Sequence, residues 1–150
     1  MDELLEKAIK LAEKYHKGQF DKGGTPYIEH PLRVMENVES IEEKVLAVLH
    51  DVLEDCSVTK DQLIKAGIPE YLVEKLEILC KGKNEKYFDY IDRIKTDQLT
   101  INVKLSDLND NMNLKRLKEV TEKDINRIEK YKKAKVILEN YRYIDRYIDR

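Results

Sequence analysis

An adjacent histidine and aspartate, His50-Asp51, stand near the end of the most apolar stretch of the chain, Ile41 to Leu53. Ionisable side chains are seldom buried without a partner, so such a pair set against a core calls for one, and a metal ion would serve. Neighbours on a helix point about 100° apart, so both reach one ion only from the rim of a helix face, and other segments must complete its coordination. Candidates are few. Of three histidines, His30 directly precedes Pro31 at the end of a glycine-rich loop and is well placed, whereas His16 reads as a packing or hydrogen-bonding residue. Asp107, set between Ser106 and Leu108 in an apolar helical run, is the candidate fourth ligand. Two imidazoles and two carboxylates suit Mn, Fe, Zn or Co better than Ca or Mg. Incomplete coordination by the protein leaves room for water and a substrate oxygen, which describes a hydrolytic site.

Glu54 and Asp55 follow His50 and Asp51 by four residues each, so on a continuous helix the acidic pair stacks beside the metal pair. One carboxylate would orient or deprotonate the attacking water, and the other would position it or protonate the leaving group. Each feature alone has a plainer reading: a helix-end pair, acidic residues leading out of a helix, a capping aspartate. Their combination points to chemistry.

The elements that must position these residues are helical. Leu4, Leu5, Ala8, Ile9, Leu11, Ala12 and Tyr15 recur at helical spacing between charges, giving an amphipathic first helix over 2–17 with Asp2 as its cap. Three glycines and two prolines between Gly18 and Pro31 make a loop of defined turns, and Pro31 opens a short helix through Val38. The central helix covers 41–53. Thr59-Lys60-Asp61-Gln62 has the form of a capping box for a short helix ended by Gly67, and Pro69 starts another running to about Cys80. Helices over 84–95 and 99–117 follow, and Thr121 caps a long last one through Tyr141 or beyond. No strand alternation appears.

At 150 residues, with 41% hydrophobic and 39% charged residues but five glycines and three prolines, the composition fits one all-α domain over 1–150, ending in a helical extension from about 141. A net charge of -2 gives no broad positive field, which argues against nucleic-acid or membrane partners. Cys56 and Cys80 lack a CxxC spacing and read as reduced thiols, and no signal-peptide core or spanning segment is present, so a cytoplasmic location is expected. Tyr-Ile-Asp-Arg occurs twice over 143–150 and once at 90–93; a homodimer contact is a minor expectation from it.

Taken in order, His16-Lys17-Gly18-Gln19, Gly24-Thr25-Pro26-Tyr27-Ile28-Glu29-His30-Pro31, His50-Asp51-Val52-Leu53-Glu54-Asp55 and Val103-Lys104-Leu105-Ser106-Asp107 resemble the HD superfamily, and within it the alarmone hydrolase domain of RelA/SpoT proteins and their small single-domain relatives. The likeness runs from about Ala8 to Tyr131. It implies a bundle of about eight to ten helices, Mn held by His30, His50, Asp51 and Asp107, and Glu54 and Asp55 beside the reactive water. The implied reaction is hydrolysis of the 3′-pyrophosphate of guanosine tetra- or pentaphosphate to GDP or GTP and pyrophosphate. Lys22, Asn111, Arg127 and Tyr131 look like phosphate and ribose contacts, the last two sharing a helix face.

The chain departs from the family where Asp21-Lys22 replaces the usual Arg-Lys, removing a cation that would stack on guanine. The segment Leu108-Asn109-Asp110-Asn111-Met112 is also more acidic than usual. An alternative substrate is therefore another nucleotide, a monophosphate or an adenine-based pyrophosphate. The synthetase domain of the long family members has no room in the chain. An alternative of another class is a helical module that binds a nucleotide or partner without turnover, although a pure binder needs neither Glu54 nor Asp55.

Overall fold

The computed structural model describes residues 2–148, without the side chains of residue 116 and of residues 143–148. Nine α-helices lie among the described residues: α1 (Glu3–His16), α2 (Glu29–Glu36), α3 (Ile41–Leu49), α4 (Val52–Asp55), α5 (Lys60–Lys65), α6 (Glu70–Ile78), α7 (Tyr87–Ile94), α8 (Gln98–Asn111) and α9 (Glu122–Ile148). Among these residues the single departure from helix and loop is an isolated bridge between Phe20 and Pro26. None of the helices is long and apolar enough to cross a membrane. The repeat over 143–150, which carries the homodimer expectation, lies outside the residues whose side chains are described.

The centre of the bundle is α3. Val45, Leu46, Ala47, Val48 and Leu49 occupy consecutive positions and are all fully buried, so neighbours cover the helix around its whole circumference. Those neighbours are α1, α2, α6 and α8. Full burial of each large aliphatic chain contributes about 2 kcal/mol. Ser40 opens α3 with a capping box, its hydroxyl accepting from the Glu43 amide while the Glu43 carboxylate accepts from the Ser40 amide. The Asp2 cap of α1 and the Thr59 capping box of α5 form as the sequence predicts. Gly67 ends α5 at φ +107°, a backbone region that side chains disfavour.

Three expectations need correction. The stretch 41–53 is not one helix: α3 ends at Leu49, His50 and Asp51 form the junction, and α4 begins at Val52. The His50 amide bonds the Ala47 carbonyl three residues back, and Asp51 sits at φ -96°, ψ -6°, so the turn tightens and the axis breaks there. Helix α2 opens at Glu29 instead of Pro31, which still leaves the proline in the first turn, where a missing amide hydrogen costs little. Helix α8 stops at Asn111, because the Asn113 side chain accepts from the Lys115 amide and starts a separate 3-10 turn at Leu114–Arg116.

Candidate metal and substrate site

Four elements converge on one buried cluster. His30 comes from the first turn of α2, His50 and Asp51 from the α3–α4 junction, and Asp107 from α8; each is less than a tenth exposed. Ligand atoms of His30, His50 and Asp107 all lie within 4.8 Å of one another. His30 Nε2 is 2.9 Å and His50 Nε2 3.2 Å from the same Asp107 Oδ1, while Asp51 Oδ2 is 3.1 Å from His50 Nε2 and 3.8 Å from His30 Nε2.

The ring orientations test whether this cluster suits a cation. His50 Nδ1 lies 2.5 Å from the Ala47 carbonyl, which only accepts, so that nitrogen carries the hydrogen and Nε2 turns inward. His30 Nδ1 likewise faces the Asp110 carboxylate, which Arg33 grips from the other side through two guanidinium nitrogens. Both inward nitrogens then confront carboxylate oxygens. Without a cation, that contact holds only if the imidazoles keep a second proton. Accordingly burial pulls both pKa values down, but hydrogen bonds and charge from Asp107, with Asp110 for His30 and Asp51 for His50, outweigh it and leave both raised. A divalent ion resolves the same conflict with neutral imidazoles, and outward partners of this kind are how ligand histidines are oriented. The donor set fits a divalent metal.

Asp51 joins this cluster to a second. Its carboxylate, with those of Glu54 and Asp55, has oxygens within 4.8 Å of one another, and the latter two residues are exposed. The acidic pair, carried on α4, thus lies beside Asp51 despite the helix break. The Glu54 carboxylate accepts the Lys81 amide at 3.0 Å. Burial and then the neighbouring Asp51 and Asp55 charges raise the Glu54 pKa against that hydrogen bond; burial and Asp51 raise the pKa of Asp55.

Lys22, Asn111, Arg127 and Tyr131 line a single cavity of about 330 Å³, with Phe20, Asp21 and Tyr27. Two of its lining residues also reach the cluster: the Tyr27 hydroxyl donates to Asp51 Oδ2 at 2.5 Å, and Asn111 Nδ2 donates to Asp107 Oδ1 at 3.1 Å. Asp21 does not project as a free anion. Its Oδ1 accepts both the Gly23 and Thr25 amides at 2.9 Å and so shapes the loop. His16 stays outside the cluster, packed against Tyr27 and bonded through Nδ1 to Gln19.

Sequence reasoning missed five residues that complete the site: Tyr27, Arg33, Lys104, Asp110 and Asp124. Lys104 donates to Asp107 Oδ2 at 2.9 Å. Burial would lower its pKa, but the Asp107 charge raises it well above the ordinary value; reciprocally, Lys104 and the histidines overcome burial to hold Asp107 well below its own. Asp124, 3% exposed, accepts from Arg127 at 2.7 Å and faces Lys22 at 3.5 Å. Four of them stand three residues from a chosen candidate on the same helix, Arg33 from His30, Lys104 and Asp110 from Asp107, and Asp124 from Arg127, a spacing that places them close but does not reveal their burial. Tyr27 precedes α2 and carries no such signal.

No family model matches the chain. A guanosine-3′,5′-bis(diphosphate) 3′-pyrophosphohydrolase of Borreliella burgdorferi is 38% identical over 70 residues, which are 44% of this chain and 10% of that protein. One of the same name from Aquifex aeolicus is 34% identical over 122 residues, 73% of this chain and 17% of that protein. The chain therefore spans only a small part of the curated relatives it matches. Among solved structures, a metazoan SpoT orthologue described as hydrolysing ppGpp superposes with a TM-score of 0.77 at 19% identity, covering 92% of this chain and 86% of that one. That likeness gives the fold, an all-α helical bundle, and over the aligned residues the chain resembles the RelA/SpoT-type hydrolases among which its sequence relatives are named.

Proposed function

We propose that this chain is a cytoplasmic, divalent-metal-dependent phosphohydrolase that removes the 3′-pyrophosphate of guanosine tetra- or pentaphosphate, yielding GDP or GTP and pyrophosphate. One observation carries the reading: Tyr27 and Asn111 belong both to the cavity wall and to the hydrogen bonds of Asp51 and Asp107, so a phosphate seated among Lys22 and Arg127 borders the His/Asp cluster. The names of the relatives point the same way.

In this reading His30, His50, Asp51 and Asp107 hold the ion, manganese by preference. A divalent ion there supplies the Lewis acidity that polarises a phosphoryl oxygen and makes water a competent nucleophile near neutral pH. The remaining work falls to side chains. Tyr27, kept neutral by burial and the adjacent Asp51, fixes that carboxylate by donating to it. Glu54 and Asp55 act on the attacking water, one taking its proton and the other orienting it; their raised pKa values bring proton exchange closer to neutrality. Lys22 and Arg127 bind the pyrophosphate, and Tyr131 and Asn111 meet phosphate or ribose oxygens. Water attacks the phosphorus attached to the 3′ oxygen, the ester P–O bond breaks, and the 3′ oxygen leaves with a proton.

The test is incubation of manganese-loaded protein with guanosine tetraphosphate, following released pyrophosphate, with Asp51→Ala as control. Release by the wild type alone supports the proposal. Intact substrate under conditions in which a known hydrolase degrades it overturns the guanosine assignment.

A further inference from the structure

Phe20 is 65% exposed, the highest value among the described large hydrophobic side chains found at the surface. The loop that carries it is held by hydrogen bonds. The Asp21 amide bonds the Thr25 carbonyl at 2.8 Å, the Tyr27 amide bonds the Gln19 carbonyl at 2.8 Å, and the Asp21 carboxylate takes two further amides within the turn. Phe20 is therefore presented by a braced backbone where two cavities meet, one lined by Lys22, Arg127 and Tyr131 and the other by Lys10, Lys14 and Pro26; the first carries the cations and ring that a nucleotide needs. Leu117 lines the same cavity and adds a second apolar surface.

A cavity with cations and an exposed aromatic ring matches a ligand that has phosphates joined to a flat ring. Two of the polar atoms in this lining already have partners: Asp21 Oδ1 accepts two amides, and Asn113 Oδ1 accepts the Lys115 amide. Stacking does not depend on base identity, because every base offers a π-face. We propose that Phe20 is the platform on which the nucleobase stacks, and that the site selects a flat base without distinguishing guanine from adenine. This rests on the site being a nucleotide site, as proposed above, and adds how the base is held.

Two measurements separate the claims. Equilibrium dialysis of GDP and of ADP with wild type, Phe20→Ala and Phe20→Tyr reads binding without turnover. Hydrolysis of guanosine and adenosine 3′,5′-bis(diphosphate) reads KM and kcat. The expected result is a loss of about ten-fold or more in affinity for both diphosphates in Phe20→Ala, by the usual worth of one base stack. Affinity should be retained in Phe20→Tyr. The KM of Phe20→Ala should rise similarly, with kcat little changed and wild-type kcat/KM for the two substrates within about three-fold. Unchanged affinity in Phe20→Ala, no binding of either diphosphate by wild type, or a strong preference for one base each overturns this inference. Wild type that binds both diphosphates through Phe20 but hydrolyses neither substrate overturns the proposed reaction and leaves the platform standing. The ring is exposed, so Phe20→Ala should melt with the wild type.

Discussion

Lys104 stands one turn before Asp107 on α8, and its ammonium lies 2.9 Å from Asp107 Oδ2 while the other oxygen of that carboxylate faces the two histidines. With side chains only 12% and 6% exposed, the pair is an internal counter-charge within the ligand cluster. Removing one partner of a buried pair leaves an uncompensated charge, at a cost of about 3 kcal/mol. Lys104→Met should therefore melt well below wild type when metal-free, and added manganese should raise its melting temperature by more than it raises that of wild type. Equal increments in both proteins would show that Lys104 and the metal do not act on the same carboxylate.

Metal retention and turnover should separate by residue. His50→Ala and Asp107→Ala should lose bound metal, read by elemental analysis after dialysis, and with it activity. Glu54→Gln should keep the metal and lose about 10²-fold or more in kcat, because the amide cannot take a proton. Full activity in Glu54→Gln would remove that residue from the chemistry.

The loop carrying Tyr27 and Phe20 should depend on the hydrogen-bond acceptor at position 21 and not on its charge. Asp21→Asn retains an oxygen for the Gly23 and Thr25 amides, so KM should stay near the wild-type value. Asp21→Ala releases both amides, at about 1 kcal/mol, and should raise KM with the metal content unchanged. A larger KM change in Asp21→Asn than in Asp21→Ala would assign the role to charge.

Stability should carry an acid-labile contribution from Glu85. Its two oxygens grip Arg93 at 2.7 and 2.8 Å, and Arg93 also donates to the Cys80 carbonyl, tying the loop that presents the Lys81 amide to Glu54. The Arg93 hydrogen bonds, followed by the Gly82 amide, lower the Glu85 pKa from 4.5 to about 2. A carboxyl lowered on folding stabilises fully above its unfolded value and loses that contribution as pH falls toward the folded one. Glu85→Gln should thus melt below wild type at pH 7, and the gap should close between about pH 4.5 and pH 2. A gap independent of pH would assign the effect to packing.

Much of this site was legible because ligand chemistry is written in residue type. His30, His50, Asp51 and Asp107 stand out against apolar or glycine-rich surroundings, and Arg127 and Tyr131, suggested by the resemblance, share a helix face by their spacing. What could not be read was geometry that depends on distant segments. The break at His50-Asp51 is invisible in an apolar pattern that continues through Leu53, since the turn tightens where these side chains join His30 and Asp107. Lys104, Asp110 and Asp124 resemble surface charges in sequence; their burial follows from partners brought in by folding, as when Asp110 meets Arg33. Asp21 was read as a lost cation, whereas its own loop employs the carboxylate.

The junction between α3 and α4 divides labour. Asp107 and His30 are anchored on α8 and α2, while Glu54 and Asp55 ride on a four-residue helix whose end is tethered through the Lys81 amide. Under the proposed function, substitutions in the 79–86 connection would re-aim Glu54 and Asp55 by small steps without touching His30, His50, Asp51 or Asp107. Affinity for the ion and the placement of the attacking water would then be separately adjustable.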